Sequence, residues 1–175
     1  MKTGFIGLGI MGRPMAKNLL KAGMDLIVAD LNKDAVAEVT ACGATEGTYA
    51  EIGAQCERII LMVPSGAISK SILFGQDGVS STIQKGSIVC DMSSVTPGES
   101  RECYEQLKSI GVDFLDARYL EGNQVQSTQH WPLWPAVNLK CLKKCSLIFP
   151  YWDLLPFSSA VREAAALPSL PTRSS

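Results

Sequence analysis

TGFIGLGIMGRPMAKNLLKAG, residues 3–23, decides the fold. Its apolar start, with Phe5, Ile6 and Leu8, suits a buried parallel strand, and Met11, Met15, Leu19 and Leu20 then recur at helical spacing. Between the two stands Gly7-Leu8-Gly9-Ile10-Met11-Gly12, while Gly23 after Ala22 is the residue type that closes a helix at its C-terminus. In a strand, turn and helix of this kind, the first glycine permits the tight turn and the second lets backbone amides approach a pyrophosphate. The third lets the helix pack closely on the strand. Phosphates then lie over the helix N-terminus, where unpaired N–H groups and the helix dipole favour negative charge. A glycine triplet at this spacing also occurs as a plain βα turn, so its meaning depends on the next strand.

That strand is a second apolar run, Leu26-Ile27-Val28-Ala29, ended by Asp30. The acid stands at about the distance at which one takes the ribose hydroxyls of a dinucleotide. The sequence therefore predicts a cofactor site built from Gly7, Leu8, Gly9, Ile10, Met11, Gly12 and Asp30. A carboxylate at position 30 accepts both ribose hydroxyls and repels a 2′-phosphate, and Leu31 and Asn32 supply no guanidinium to clamp one. NAD is the expected cofactor, in preference to NADP.

The chain continues in alternation. A helix is predicted over Lys33 to Cys42, closed by Gly43, then a short edge strand over Ala44 to Glu46 and a short helix over Tyr49 to Cys56. Arg58 to Val63 is a continuous apolar run suited to a central strand and stopped by Pro64. Helical stretches are expected near Ala67 to Leu73 and around Val79 to Ile83. Ser87 to Met92 reads as the fifth strand, Gly98 to Ile110 as a helix capped by Gly111, and Asp113 to Ala117 as the sixth strand. Strands alternating with helices imply parallel pairing and right-handed crossovers. The fold class is α/β, a Rossmann-type doubly wound, mainly parallel sheet with strand order 3-2-1-4-5-6. Its ligand lies in the crevice at the carboxyl ends of the strands.

Residues 4–23, together with Ile-Val-Ala-Asp at 27–30 and Asp-Met-Ser-Ser at 91–94, resemble the β-hydroxyacid dehydrogenases, a family that includes the 3-hydroxyisobutyrate dehydrogenases. The wording is nearest to the tartronate semialdehyde reductase (2-hydroxy-3-oxopropionate reductase) branch, and the resemblance covers residues 1–117. It implies an oxidoreductase that moves a hydride between nicotinamide and a short 3-hydroxy acid or its semialdehyde, with a lysine as proton donor. By the same resemblance Val63 and Pro64 lie against the cofactor, Ser93 meets the substrate carboxylate and Ser94 lies on the nicotinamide side. Read as residues alone, Ser93 and Ser94 are equally a helix-capping cluster ahead of Pro97. The 6-phosphogluconate dehydrogenases share the first motif, but prefer a basic reader after the second strand, where Asp30-Leu31-Asn32 stands. A non-catalytic dinucleotide-binding module is the alternative of a different class.

After Ala117 the composition changes. Residues 1–117 hold 14 of the 15 glycines and no tryptophan, whereas residues 118–175 hold all 3 tryptophans, the only histidine and 6 of the 9 prolines. Where the family runs Pro-Val-Ser-Gly-Gly, this chain has Arg118-Tyr119-Leu120-Glu121-Gly122. Permitted codons for those five residues yield the family's stretch when one cytosine is restored before them. In the same shifted frame Ala166 to Arg173 becomes Gly-Ser-Ala-Lys-Phe-Thr-Asn-Gln, which resembles the family's catalytic Lys-x-x-Asn motif. The expectation is therefore a Rossmann domain over 1–117 and a frameshifted, mostly unordered tail over 118–175, with a short helix near 159–167. The family's all-α C-terminal domain and catalytic lysine are expected to be absent. Activity would then be lost, and the open edge of the sixth strand would invite self-association. Lys140, Lys143 and Lys144 read as a solvated basic cluster.

Composition adds exclusions. Sixteen basic against 17 acidic residues, with 46% hydrophobic content, argue against a nucleic-acid or membrane partner and for a globular domain. The start is no signal peptide and no run is long enough to span a bilayer, so a cytoplasmic location is expected. Six cysteines without paired spacing read as buried free thiols, and Cys141, Cys145 and His130 do not make a metal site. The frameshift expectation is checked by sequencing the encoding DNA from codon 112 past codon 175. One inserted base should open a frame through Pro-Val-Ser-Gly-Gly and Lys-x-x-Asn, and stop codons in that frame would defeat it.

Overall fold

The computed structural model describes residues 2–117, and the expectations for Arg118 onward lie outside the described residues. In chain order the elements are β1 (Thr3–Ile6), α1 (Gly12–Lys21), β2 (Leu26–Ala29), α2 (Lys33–Thr40), β3 (Thr45–Glu46), α3 (Tyr49–Gln55), β4 (Arg58–Leu61), α4 (Gly66–Phe74), β5 (Ile88–Asp91), α5 (Pro97–Ser109) and β6 (Asp113–Asp116). All pairings are parallel and the order is β3-β2-β1-β4-β5-β6, as the alternation predicts.

The register explains why the strands read as unbroken apolar runs. Val28, Phe5, Ile60, Cys90 and Leu115 form one row across the sheet and pack under α1 and α2 against Met15, Leu19, Val36 and Val39. Neighbouring positions face the other way. Ile6, Ile27, Ile59, Leu61, Val89 and Phe114 pack against Ile52, Ile72, Leu73 and Leu107 of α3, α4 and α5. Both faces are covered, so hydrophobicity cannot alternate along the strands. Cys56, Cys90 and Cys103 are buried free thiols, and burial pushes Cys56 and Cys103 up to about 11, which leaves them protonated and unreactive. Cys42 is exposed.

Helix starts are set locally. Asn32, Thr48, Ser65 and Thr96 each cap a helix by accepting a backbone N–H, and Thr48 with Glu51 and Thr96 with Glu99 complete reciprocal capping boxes. On the outer face Glu38 of α2 takes both Arg13 (2.9 Å) and Lys17 (2.5 Å) of α1.

Three boundaries differ from the sequence expectation by more than one residue. The stretch around Val79 to Ile83 is a single 3-10 turn, Val79–Ser81, between Gly78 and a Thr82 whose hydroxyl donates to Ala50 O. β4 ends its pairing at Leu61, because Val63 N–H turns to a serine hydroxyl on the next loop. α2 stops at Thr40, where Cys42 and Gly43 tighten into i→i−3 bonds to Val39 and Thr40.

The packing sets the scale of substitution effects. Phe5→Ala, at a wholly buried position, should cost about 3–5 kcal/mol in denaturant unfolding. Leu31→Ala, at a site 90% exposed, should stay within about 0.5 kcal/mol. In acid, Glu51 and Glu99 sit below their ordinary value of 4.5, held there chiefly by the backbone N–H groups of Thr48 and Thr96. Their contribution is present above 4.5 and is lost as pH falls through the depressed folded values. The double variant Glu51→Gln/Glu99→Gln should therefore lose less stability than the unmodified chain between about pH 6 and about pH 3 in a denaturation series.

Candidate dinucleotide-binding cleft

The carboxyl ends of β1, β2, β4 and β5 open into a cleft of about 990 Å³. Its floor is the glycine turn. Gly7 has φ +99°, and a Cβ there would lie 2.2 Å from Met62 O. A Cβ on Gly12 would lie 1.9 Å from Gly7 O. These two glycines are required by the protein's own packing. Gly9 is different: its φ is outside the left-handed region, it is exposed, and a Cβ built on it meets nothing within 4 Å. The protein alone makes no demand for glycine there, so the space above it suits the close backbone approach of a phosphate.

α1 begins at the same place. Its N-cap, Met11, makes no side-chain cap bond, in contrast to the capped starts of α2, α3, α4 and α5, and its first turn holds no acid. Gly9, Ile10, Met11 and Gly12 all line the cleft. The one α-helix start among the described residues that lacks a side-chain acceptor thus faces a cavity, where an anion would complete its N–H groups.

Asp30 stands directly after β2, half-buried on the cleft wall. Its Oδ2 accepts Leu8 N–H at 2.5 Å and its Oδ1 accepts Asn32 N–H at 2.7 Å. Each oxygen retains acceptor capacity for a ribose hydroxyl. Leu8 contributes its backbone here, because its side chain is buried in the core. Ile10 and Leu31 flank the opening at 87% and 90% exposure. Asn32 spends its side-chain oxygen on Asp34 N (3.0 Å) and Ala35 N (3.2 Å), and Lys33 is ion-paired to Glu46 at 2.6 Å. Tyr49, to which no sequence motif points, also lines the cleft and a smaller pocket of about 530 Å³ beside Asp30. Burial, then the Asp30 charge, pushes its phenol up. The available signal is its place just after β3, at the same end of the sheet as Asp30.

On the far side of β1 the wall is Met62, Val63, Pro64, Met92 and Ser94. Ser94 is exposed to the cleft, whereas Ser93 is 1% exposed and absent from its lining. The Ser93 hydroxyl accepts Val63 N–H at 3.0 Å, and Ser93 N–H donates to Asp91 Oδ1 at 2.9 Å. Asp91 is 1% exposed. Burial raises its pKa, Ser93 opposes this, and the Asp116 charge adds to the rise. The Ser69 hydroxyl, wholly buried, also lowers it, though it lies short of a full hydrogen-bond geometry. The structure therefore gathers Gly7, Gly9, Ile10, Met11, Gly12, Asp30, Val63, Pro64 and Ser94 at one cleft, and turns Ser93 away from it. Among the described residues lining that cleft, the ionisable side chains are Asp30 and Tyr49.

Known proteins agree with this geometry. The family model for the NAD binding domain of 6-phosphogluconate dehydrogenase matches residues 2–126. Mouse (Mus musculus) mitochondrial 3-hydroxyisobutyrate dehydrogenase is 38% identical over 116 residues, 66% of this chain and 35% of that protein. The 2-hydroxy-3-oxopropionate reductase of Escherichia coli is 38% identical over 117 residues, 67% of this chain and 40% of the relative. The crystal structure of 3-hydroxyisobutyrate dehydrogenase from Salmonella typhimurium superposes with a TM-score of 0.64 at 29% identity, covering 70% of this chain and 43% of the other. The chain thus spans little more than a third of the length of the curated relatives it matches. Glycine turn, the acid after β2, six-stranded order and family match converge: the chain belongs to the family of the NAD binding domain of 6-phosphogluconate dehydrogenase, and over that domain it is similar to 3-hydroxyisobutyrate dehydrogenase and 2-hydroxy-3-oxopropionate reductase.

Proposed function

We propose that residues 1–117 are the NAD-binding domain of an oxidoreductase acting on a short 3-hydroxy acid and its semialdehyde, of the tartronate semialdehyde and glycerate type. The observation that carries this reading is the empty space over Gly9 beside the uncapped start of α1. The pyrophosphate would rest on Gly7, Leu8, Gly9, Ile10, Met11 and Gly12, the adenosine ribose on Asp30, and the nicotinamide nucleoside against Val63, Pro64 and Ser94. Because β2 and β4 flank β1, the two nucleosides fall on opposite sides of the glycine turn. When bound, the nicotinamide supplies hydride transfer. This chain's residues bind, orient and exclude water at the strand ends.

The substrate branch is supported by the Asp91-Met92-Ser93-Ser94 wording and by the names of the relatives. NAD is favoured over NADP because Asp30 meets the ribose, Asn32 is spent on capping α2, and Lys33 is held by Glu46. We further read residues 118–175 as the out-of-frame tail. In that reading residues 118–175 do not supply the family's lysine, and β6, which among the described residues pairs with β5 alone, supplies an edge for self-association. No helix among the described residues is long and apolar enough to cross a membrane.

The test is titration of the purified chain with NADH and NADPH, followed by protein fluorescence. NADH should bind more tightly than NADPH. Gly9→Ala should weaken NADH about ten-fold or more at unchanged melting temperature, since its methyl group meets only the ligand. Asp30→Asn should narrow the gap between the two cofactors by about ten-fold, the scale of a charged hydrogen bond. Equal binding of NADH by Gly9→Ala would remove the phosphate from the turn, and tighter binding of NADPH would overturn the cofactor assignment.

A further inference from the structure

Ser93 has chemistry that the binding reading leaves unused. It is a polar side chain 1% exposed, on a loop whose next residue, Ser94, is exposed to the cleft. Its oxygen accepts the Val63 N–H at 3.0 Å, a donor that β4 leaves over when its pairing stops at Leu61. Its backbone N–H goes to the Asp91 carboxylate at 2.9 Å. Asp91 is fixed in turn. Its carbonyl accepts Ala117 N–H at 2.8 Å, and Met92 N–H donates to Leu61 O at 2.9 Å. Three consecutive strand ends, β4, β5 and β6, are joined at one buried point.

We propose that Ser93 is a positioning residue, held by Asp91, that clamps the end of β4 to the end of β5 and so sets the wall formed by Val63, Pro64 and Ser94. The proposal rests on the dinucleotide reading above, which places the nicotinamide nucleoside on that wall. It replaces a direct contact between Ser93 and the substrate carboxylate. A serine that is 1% exposed and whose hydroxyl already accepts the Val63 N–H is shut off from a ligand across the cleft. A carboxylate suits the post of Asp91 because it accepts the Ser93 N–H and so holds the turn that brings Ser93 Oγ to the Val63 N–H. Breaking the clamp frees one half-buried N–H on the cofactor side of β4 and leaves β2, α1 and Asp30 untouched.

This asymmetry supplies the test. ADP-ribose contains the adenosine and pyrophosphate of the dinucleotide but no nicotinamide. Titration of the unmodified chain and of Ser93→Ala with NADH and with ADP-ribose should show NADH weakened about five- to ten-fold by the substitution, the scale of one buried hydrogen bond. ADP-ribose binding should stay within about two-fold. Equal losses for both ligands would mean a merely structural serine, and no loss for either would mean that the clamp does not shape the wall. Either result overturns the proposal. If Ser93→Ala does not fold, hydrogen exchange on the unmodified chain decides: the Val63 amide should exchange far more slowly than that of Ser94, and equal rates would refute the clamp. Failure of the unmodified chain to bind either ligand would instead defeat the dinucleotide reading, and this inference with it.

Discussion

The approach of α1 to the end of β1 constrains everything around it. Gly12 lies so near the Gly7 carbonyl that no side chain fits between them, and Gly7 in turn lies under the Met62 carbonyl. The helix start, the strand end and the β4 loop are therefore stacked with backbone against backbone. This stack fixes the position of α1's unpaired N–H groups over the middle of the sheet. The crevice falls between β2 on one side and β4 and β5 on the other. Side chains elsewhere tune the site, but its place is set by two absent Cβ atoms.

The rest of the domain supports that point with little polar cost. Both sheet faces are filled by aliphatic residues, and the loops carry their own caps, so helix starts at Asn32, Thr48, Ser65 and Thr96 ask nothing of a ligand. The most deeply buried carboxylate among the described residues is Asp91, on the row shared with Leu61 and the also buried Asp116. Its raised pKa records a desolvation cost that hydrogen bonds from Ser93 only partly offset. A charged group kept inside a sheet that could have used an aliphatic one marks where order at the strand ends outweighs stability.

Much of this is legible in the chain itself, for identifiable reasons. Strand order and both glycine roles can be read because buried parallel strands announce themselves as unbroken runs, and because Gly7 and Gly12 answer to local geometry. The end of β4 cannot, since Met62 and Val63 are as apolar as the strand and only the Ser93 hydroxyl, a distant partner in sequence, ends the pairing. The burial of Ser93 is hidden in the sequence for the same reason. Adjacent serines look alike in sequence, yet the turn after β5 sends one into the core and the next into the cleft. Tyr49 is invisible to motif reading because its importance comes from β3 lying beside β2, a relation between strands.

The double use of Asp30 has a consequence for how a ligand arrives. With Leu8 and Asn32 already bound to its two oxygens, the glycine loop is tied to β2 in the free protein. Holding one residue's backbone costs about 1–2 kcal/mol of conformational entropy, and here that cost falls on folding. An incoming dinucleotide then meets a finished surface and need not order the turn as it binds, so more of its contact energy is retained as affinity.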